Sequence, residues 1–174
     1  METNMTPSTH VFYHISFRTA FGFMRPVSDG SHLIRLDWDQ RPFESADHED
    51  DVSRETMRQL QAYLSGELHQ FNLPMRPEGK SQAALAWLNV MATIPYGTTM
   101  TYAEYAAAAG KPKASRAAGT ACARNPIPII YPCHRVVRAD GSLGNYGGGS
   151  DLHPTHPDNL DRKQSLIDLE RTQR

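Results

Sequence analysis

The chain has 174 residues, a formal net charge of −1 and two cysteines. The length allows one large domain or two small ones with real cores, and the near-balanced charge excludes a chain that is basic throughout. Two cysteines are too few for a disulfide framework. Neither a signal peptide nor an apolar stretch long enough to cross a membrane is recognisable, so we expect a reduced, cytoplasmic location.

The first elements in chain order are predicted strands. Residues 1–9 are polar, and we expect them to be frayed. Apolar and more polar side chains alternate over 11–17, which is the period of a half-buried strand. Two more strands, 21–27 and 32–37, flank the sequence Ser-Asp-Gly-Ser, which predicts a hairpin because Asp-Gly tolerates positive φ. A loop is expected over 40–51.

A helix follows, with Ser53 as its predicted N-cap. Its apolar face is formed by Met57, Leu60, Leu64 and Leu68. A connector at 75–80 contains Pro and Gly and separates this α/β unit from a helix predicted over 83–93. We therefore divide the chain into an N-terminal domain, residues 1–78, and a C-terminal domain, residues 79–174.

Two short helices joined by a tight turn are predicted next. Thr101 is the expected N-cap of a helix over 102–109, and Gly110 ends it. The second helix, 113–123, carries mainly small side chains, and the pair predicts a helix-turn-helix. Small side chains suit either close packing on a neighbouring helix or entry into a narrow DNA groove. Six basic residues against one acidic residue over 96–138 favour the second alternative.

The most informative feature is Cys133, which lies in an apolar run over 127–137 beside His134 and Arg135. A thiol reacts as the thiolate, and neighbouring cationic groups favour that form. Pro132 fixes its own φ, so we expect the thiol on a stiff, extended backbone. The alternative is a buried strand that happens to carry a cysteine, since free Cys most often behaves as a small apolar residue.

The last part of the chain predicts a second hairpin and a closing helix. Strands at 136–138 and 142–146 flank Ala-Asp-Gly, and the helix is expected over 160–171. Segment 150–159 contains two Asp and two His, which could form a metal site. Their spacing matches no strong zinc pattern, so we expect a polar surface insertion without a metal.

Several separated motifs resemble the O6-alkylguanine-DNA alkyltransferase family. The run Pro132-Cys133-His134-Arg135-Val136 is similar to the family motif around its acceptor cysteine. Other motifs in the family order are Pro95-Tyr96-Gly97, Thr101-Tyr102, Gly110-Lys111-Pro112-Lys113-Ala114, Arg116-Ala117, Asn125-Pro126, Gly144-Asn145-Tyr146, Gly148-Gly149, Arg162-Lys163 and Leu169-Glu170. The resemblance covers residues 95–170, and the N-terminal half is only loosely similar.

The resemblance implies an α/β protein with an N-terminal ribonuclease-H-like domain and a C-terminal winged helix-turn-helix domain, whose wing is the second hairpin. It implies direct-reversal DNA repair, in which an alkyl group of O6-alkylguanine, or of O4-alkylthymine, moves from double-stranded DNA to Cys133 once per molecule. It also implies minor-groove binding, no cofactor, a monomer and, in a bacterium, association with the nucleoid. A non-catalytic lesion binder, a winged-helix regulator and a Cys-His hydrolase that turns over are the alternatives.

The resemblance also assigns the catalytic residues. Cys133 would be the alkyl acceptor, and His134 would be its base, acting through a bridging water and oriented by Glu170. Tyr102 would crowd a backbone phosphate and donate its hydroxyl hydrogen towards guanine N3. Cys122 matches no activating motif, and we interpret it as structural.

Further residues would contact the flipped base or the DNA. Arg116 would fill the space that the flipped base leaves in the stack, although its simpler role is a phosphate contact. Asn125 would join the recognition helix to the active-site strand. Tyr146, Gly147 and Gly148 would line the base pocket, and family members often carry Ser in place of Gly147. DNA or substrate contacts are also implied for Thr101, Lys113, Arg135 and Val136.

Overall fold

The computed structural model describes residues 9–147 and 150–173. The predictions for residues 1–8 and for Gly148 and Gly149 lie outside these ranges. The N-terminal half holds a small antiparallel sheet with one helix, and the C-terminal half holds helices and a two-stranded parallel sheet. Within the described residues, no helix has the length and apolar character needed to span a bilayer.

The N-terminal sheet is built around its central strand, β3. Strand β1 covers Tyr13–His14, β2 covers Phe17–Thr19, β3 covers Gly22–Ser28 and β4 covers Leu33–Asp39. The predicted hairpin of β3 and β4 is confirmed. The predicted single strand over 11–17 is wrong, because β1 and β2 pair separately with β3. Pro26 lies in the stretch of β3 between these two pairings and has no N–H to donate to a ladder.

Helix α1 spans Asp51–Leu64 and packs against β3. Its N-cap is Asp50, so the predicted cap at Ser53 is wrong. The Asp50 carboxylate accepts from Ser53 N at 2.8 Å, and Ser53 Oγ accepts from Asp50 N at 2.9 Å. In this capping box the two residues bond reciprocally, and only Asp50 has the extended backbone of a cap. Leu68 lies beyond the end of the helix.

Three helices follow α1 and precede the segment around Cys133 (127–137, the cysteine segment), as predicted. They are α2 (Gln82–Met91), α3 (Tyr102–Ala108) and α4 (Ser115–Ala123). Thr101 caps α3, since its Oγ accepts from Glu104 N at 3.1 Å while the Glu104 carboxylate accepts from Thr101 N at 2.7 Å. Gly110 follows α3 with φ of 75°, a conformation that favours glycine. Helices α3 and α4 pack together as the two helices of the predicted helix-turn-helix.

The segment after Pro132 differs from the prediction. Cys133–Arg135 form one turn of 3-10 helix rather than an extended strand. Strand β6 (Val136–Val137) pairs in parallel with β5 (Met100–Thr101). The turn over 138–142 is present, with a backbone bond of 2.9 Å across it, but residues 142–146 form no strand. The predicted hairpin wing is therefore wrong in its pairing.

Hydrogen bonds from side chains replace the backbone pairing that was predicted for residues 142–146. Lys163, on the closing helix α5 (Pro157–Thr172), donates from Nζ to the carbonyl oxygens of Leu143 and Asn145. The Tyr102 hydroxyl accepts from Asn145 N at 2.9 Å. These bonds satisfy backbone groups that a strand would have paired with β6.

Contacts from α5 and from Pro126 hold the C-terminal half against the N-terminal sheet. Arg162 of α5 stacks on Trp38 of β4, with its guanidinium carbon 4.8 Å from the ring centre. Leu36 N donates to the carbonyl oxygen of Pro126 at 2.9 Å. The division of the chain at residue 78 stays a prediction.

Candidate active site

The Cys133 thiol sits at the start of a tight, buried turn. Ile129, four residues earlier, has a φ of 72°, which is rare for a β-branched residue and marks a constrained loop. The turn itself is closed by Cys133 N, which donates to Tyr131 O at 2.8 Å, and by Arg135 N, which donates to Pro132 O at 2.9 Å. The thiol is therefore held by a stiff backbone, as expected, although that backbone is not extended.

Asn125 holds the sulfur of Cys133. Its Nδ2 lies 3.2 Å from Cys133 Sγ and donates to Tyr131 O at 2.7 Å, while its Oδ1 accepts from Ile127 N at 3.0 Å. Asn125 lies two residues after the last residue of α4, at the predicted junction of helix and cysteine segment. Its side chain points inward to the Cys133 sulfur, and a contact of Asn125 with substrate or DNA stays a prediction.

The thiol is protonated at rest. Burial raises the pKa of Cys133, and the hydrogen bond from Asn125 and the charge of Lys163 only partly oppose that effect. The expectation that Arg135 stabilises the thiolate is wrong, because its guanidinium is directed at Glu170. A thiol of this kind needs a base at the moment of reaction.

The base that the sequence predicts, His134, is fully buried and fixed by Glu170 of α5. His134 Nε2 lies 2.7 Å from Glu170 Oε1. A carboxylate only accepts, so Nε2 carries the hydrogen and Nδ1 is the proton acceptor. Among the described residues, Nδ1 has no hydrogen-bond partner. The ring is thus oriented to take up a proton at Nδ1.

Arg135 is the second partner of Glu170. Its Nε and Nη2 donate to the carboxylate at 3.0 and 2.7 Å, and its Nη1 donates to Ile94 O at 2.6 Å. Only 7% of Arg135 is exposed. The predicted contact of Arg135 with substrate or DNA is corrected to a buried ion pair, because every nitrogen of the guanidinium faces the interior.

These contacts set the protonation states of His134 and Glu170, which together we call the relay. Burial alone would raise the pKa of Glu170, but hydrogen bonds from His134 and Arg135 outweigh it and hold that pKa well below its usual range. Burial lowers the pKa of His134, and the bond to Glu170 only partly offsets this. The Arg135 charge neutralises much of the Glu170 charge, so we conclude that His134 is neutral at pH 7 and available as a base.

Lys163 joins the site from α5. Its Nζ donates to the carbonyl oxygens of Val136, Leu143 and Asn145 and lies 3.5 Å from the Tyr102 hydroxyl. Burial lowers the pKa of Lys163 to about 8, so it is mainly charged at pH 7. Its charge therefore lies where negative charge on Tyr102 would develop.

A cleft of about 560 Å³ opens beside α4. Among its lining residues are Tyr102, Arg116, Gly119 and Asn145. Arg116 is exposed on the first turn of α4, and Lys113 is exposed two residues before the helix, so both are accessible to a ligand. Cys133 has no exposed surface. A nucleobase that enters through this cleft therefore reaches the sulfur only if the wall of the cleft moves.

Tyr146 and Gly147, which are predicted to line the base pocket, follow the turn over 138–142. Tyr146 is fully buried, and its ring meets Trp38 edge-on. A side chain on Gly147 would overlap the carbonyl oxygen of Ala123, so a serine does not fit there without a backbone shift. Val136 is also buried, and its predicted contact with the substrate stays a prediction, as does that of Thr101.

Family models match most of the chain. The ribonuclease-like domain of 6-O-methylguanine DNA methyltransferase matches residues 13–77, and the DNA-binding domain of the same protein matches residues 83–172. The chain belongs to the 6-O-methylguanine DNA methyltransferase family. The expected fold class, an N-terminal ribonuclease-like domain followed by a C-terminal helix-turn-helix domain, is confirmed at this level.

Individual members of this methyltransferase family are also similar. The methylated-DNA–protein-cysteine methyltransferase of Methanosarcina acetivorans is 52% identical over 99 residues, which are 57% of this chain and 63% of that relative. The chain thus spans a little under two thirds of that relative's length. The crystal structure of Mycobacterium tuberculosis O6-methylguanine methyltransferase has 32% identity and a TM-score of 0.77, covering 94% of this chain and 95% of the other. A structure of the same mycobacterial protein in complex with DNA gives a TM-score of 0.76 at 32% identity over 92% and 93% of the chains.

Within the candidate active site, the sequence analysis did not predict the roles of two residues. Lys163 belongs to one of the motifs that resemble the family, but the sequence assigns it no role. The structure places its Nζ 3.5 Å from the Tyr102 hydroxyl, within the site. Tyr63, on α1, donates to Glu170 across 107 positions of sequence, and an amphipathic helix pattern carries no signal for such a bond. The insertion at 150–159 holds no metal cluster among its described residues; His156 caps α5 by accepting from Asp158 N.

Proposed function

We propose that this chain repairs DNA by transferring an alkyl group from O6-alkylguanine in double-stranded DNA to Cys133, once per molecule. One feature supports this most directly. A protonated, buried thiol adjoins a neutral histidine whose Nε2 is fixed on Glu170 and whose Nδ1 is the proton acceptor. Such a pair forms the thiolate at the moment of transfer, when His134 takes up the thiol proton inside a buried site.

The transfer is a single displacement. The Cys133 thiol gives its proton through a bridging water to His134 Nδ1, because side chains on successive residues of a 3-10 turn diverge by about 120° and do not meet directly. The sulfur forms a bond to the alkyl carbon, and the bond from that carbon to guanine O6 breaks, leaving its electron pair on guanine. Guanine then takes up a proton at N3 from the Tyr102 hydroxyl. His134 releases the thiol proton to solvent, and the Tyr102 phenolate takes up one proton from solvent, so the net change is replacement of the thiol hydrogen by the alkyl group and of the alkyl group on guanine by hydrogen.

The product explains why the reaction stops. A thioether on Cys133 has no leaving group that water displaces under mild conditions, and His134 is oriented to take a proton from the thiol. The protein therefore acts as a reagent with one use. We propose that it needs no cofactor, works as a monomer in the cytoplasm and treats O4-alkylthymine as a second lesion.

We propose that α4 enters the minor groove of the DNA. Its exposed face carries Ala117 and Thr120, and Gly119 lies between them, so the helix backbone approaches the groove closely. Arg116 extends from the first turn beside the cleft, where it fills the stack after the base has flipped. Lys113, just before the helix, neutralises a phosphate.

Arg116→Ala should slow repair of duplex DNA far more than reaction with the free O6-alkylguanine base. The free base needs no flipping, so the unstacking cost of a few kcal/mol, about a hundredfold in rate, is absent. Single-turnover rates on the two substrates measure the difference. Equal losses on both would mean that Arg116 supports the pocket instead.

Lys113→Ala is the matched variant for this test. It should weaken duplex binding uniformly and reduce the slope of log affinity against log salt by about one unit, with no change in the free-base reaction. If neither variant affects the duplex, the proposed DNA contact of α4 is wrong.

A further inference from the structure

Tyr63 of the N-terminal α1 reaches the catalytic relay of the C-terminal half. Its side chain is fully buried, and its hydroxyl donates to Glu170 Oε1 at 2.8 Å. The same hydroxyl lies 3.5 Å from His134 Nε2. Burial and the nearby Glu170 charge raise the pKa of Tyr63 well above its ordinary value, so the phenol keeps its hydrogen and stays a donor.

The oxygen that Tyr63 contacts is the one on which His134 depends. Glu170 Oε1 accepts from His134 Nε2 at 2.7 Å, from Arg135 Nη2 at 2.7 Å and from the Tyr63 hydroxyl. Donors that share one carboxylate oxygen compete for its charge, and each added donor weakens the attraction left for the others. The Tyr63 hydroxyl therefore reduces the extent to which Glu170 stabilises a protonated His134.

We propose that Tyr63 is a positioning residue through which the N-terminal domain keeps His134 neutral and ready to accept the thiol proton. This inference rests on the proposed transfer to Cys133. It gives the ribonuclease-like domain a direct part in the chemistry, in addition to its packing against the cysteine segment.

The other groups around His134 set the direction of the effect. Cys133 and Arg135 flank it in its own turn, and Glu170 and Lys163 face it from α5. Tyr96, beside Arg135 and Glu170, meets the Tyr63 ring edge-on. Arg135 and Lys163 favour a neutral imidazole, and Glu170 favours a charged one. Removing the Tyr63 hydroxyl leaves the charges of Arg135 and Lys163 in place. It also leaves more of the Glu170 charge to interact with His134, so the protonated form of His134 becomes more stable.

Tyr63→Phe tests the inference, because it removes the hydroxyl and keeps the ring. Single-turnover methyl transfer from an O6-methylguanine duplex is followed from pH 5 to pH 8. In the wild type the rate falls on the acid side with a midpoint below 6.5, since burial lowers the pKa of His134. In the variant that midpoint should rise by about half a unit, which is about a threefold loss of rate on the acid limb relative to the variant's own plateau rate.

Tyr105→Phe is the matched control. Tyr105 is equally buried, and its hydroxyl donates to Trp87 O at 2.6 Å, away from the relay. Both variants lose one buried hydrogen bond, but only Tyr63→Phe should move the midpoint. An unchanged midpoint in Tyr63→Phe, or a loss by the same factor at every pH, would overturn the inference. A wild-type protein that gains no adduct would instead refute the proposed transfer itself.

Discussion

Replacing Cys133 by alanine should abolish alkyl transfer and leave DNA binding intact. The sulfur is the only atom proposed to form a bond to the alkyl carbon, whereas the predicted DNA contacts lie on and beside α4. The change is also small in volume, so the buried turn keeps its backbone bonds. Transfer of a labelled methyl group from duplex DNA to protein, together with a binding titration on the same duplex, measures both quantities.

Cys122→Ala is the control for this experiment, because it removes the other thiol. Burial raises the pKa of Cys122, and the structure gives it a packed position on α4. The variant should transfer the methyl group at nearly the wild-type rate. A Cys133→Ala protein that still acquires the label, or a Cys122→Ala protein that does not, would show that the nucleophile is misassigned.

Replacing Glu170 should have the second largest effect, on stability and on rate together. Glu170→Ala leaves the buried Arg135 guanidinium without its carboxylate, a change that costs about 3 to 5 kcal/mol in free energy of unfolding. Glu170→Gln removes the charge but keeps an oxygen that accepts from His134 Nε2, so it separates the loss of charge from the loss of the hydrogen bond. In Glu170→Ala, His134 loses the partner that fixes its Nε2 hydrogen, and we expect transfer to slow by about a hundredfold or more.

The stability effect should also depend on pH. The pKa of Glu170 in the folded protein lies well below the ordinary 4.5, so its contribution is complete above pH 4.5 and is lost as the pH falls below that value. Asp168→Asn, on the exposed face of α5, is the control and should change neither quantity measurably. Denaturant unfolding and single-turnover rates check these expectations. A Glu170→Ala protein with the wild-type rate would show that Glu170 does not orient His134.

Local sequence signals located several elements of this fold well. Thr101 followed three residues later by Glu104 is a capping-box pattern, and α3 begins there. Asp-Gly between two apolar runs correctly placed the hairpin of β3 and β4. At α1 the same kind of signal was ambiguous, because Asp50 and Ser53 cap each other and the pattern alone does not say which one lies outside the helix.

Directions of side chains were harder to predict than identities. The motif around Cys133 names Arg135 but does not tell that its guanidinium turns inward to Glu170, since that depends on a 3-10 turn and a helix that closes 35 residues later. The strand pairing predicted for the wing was wrong for a related reason. Lys163 donates to backbone carbonyl oxygens that a strand would use. No local sequence pattern predicts the role of Tyr63, because its hydrogen bond to Glu170 exists only once the two halves pack together.

The mass of the intact protein after incubation with excess O6-methylguanine duplex tests the central claim most directly. Each molecule should gain one methyl group in place of one hydrogen, the gain should map to the peptide that contains Cys133, and lesion removal should stop at one per protein molecule. Repeated lesion removal by a protein of unchanged mass would contradict the account and favour a hydrolase. Binding of the duplex without any gain in mass would contradict it as well and favour a lesion binder.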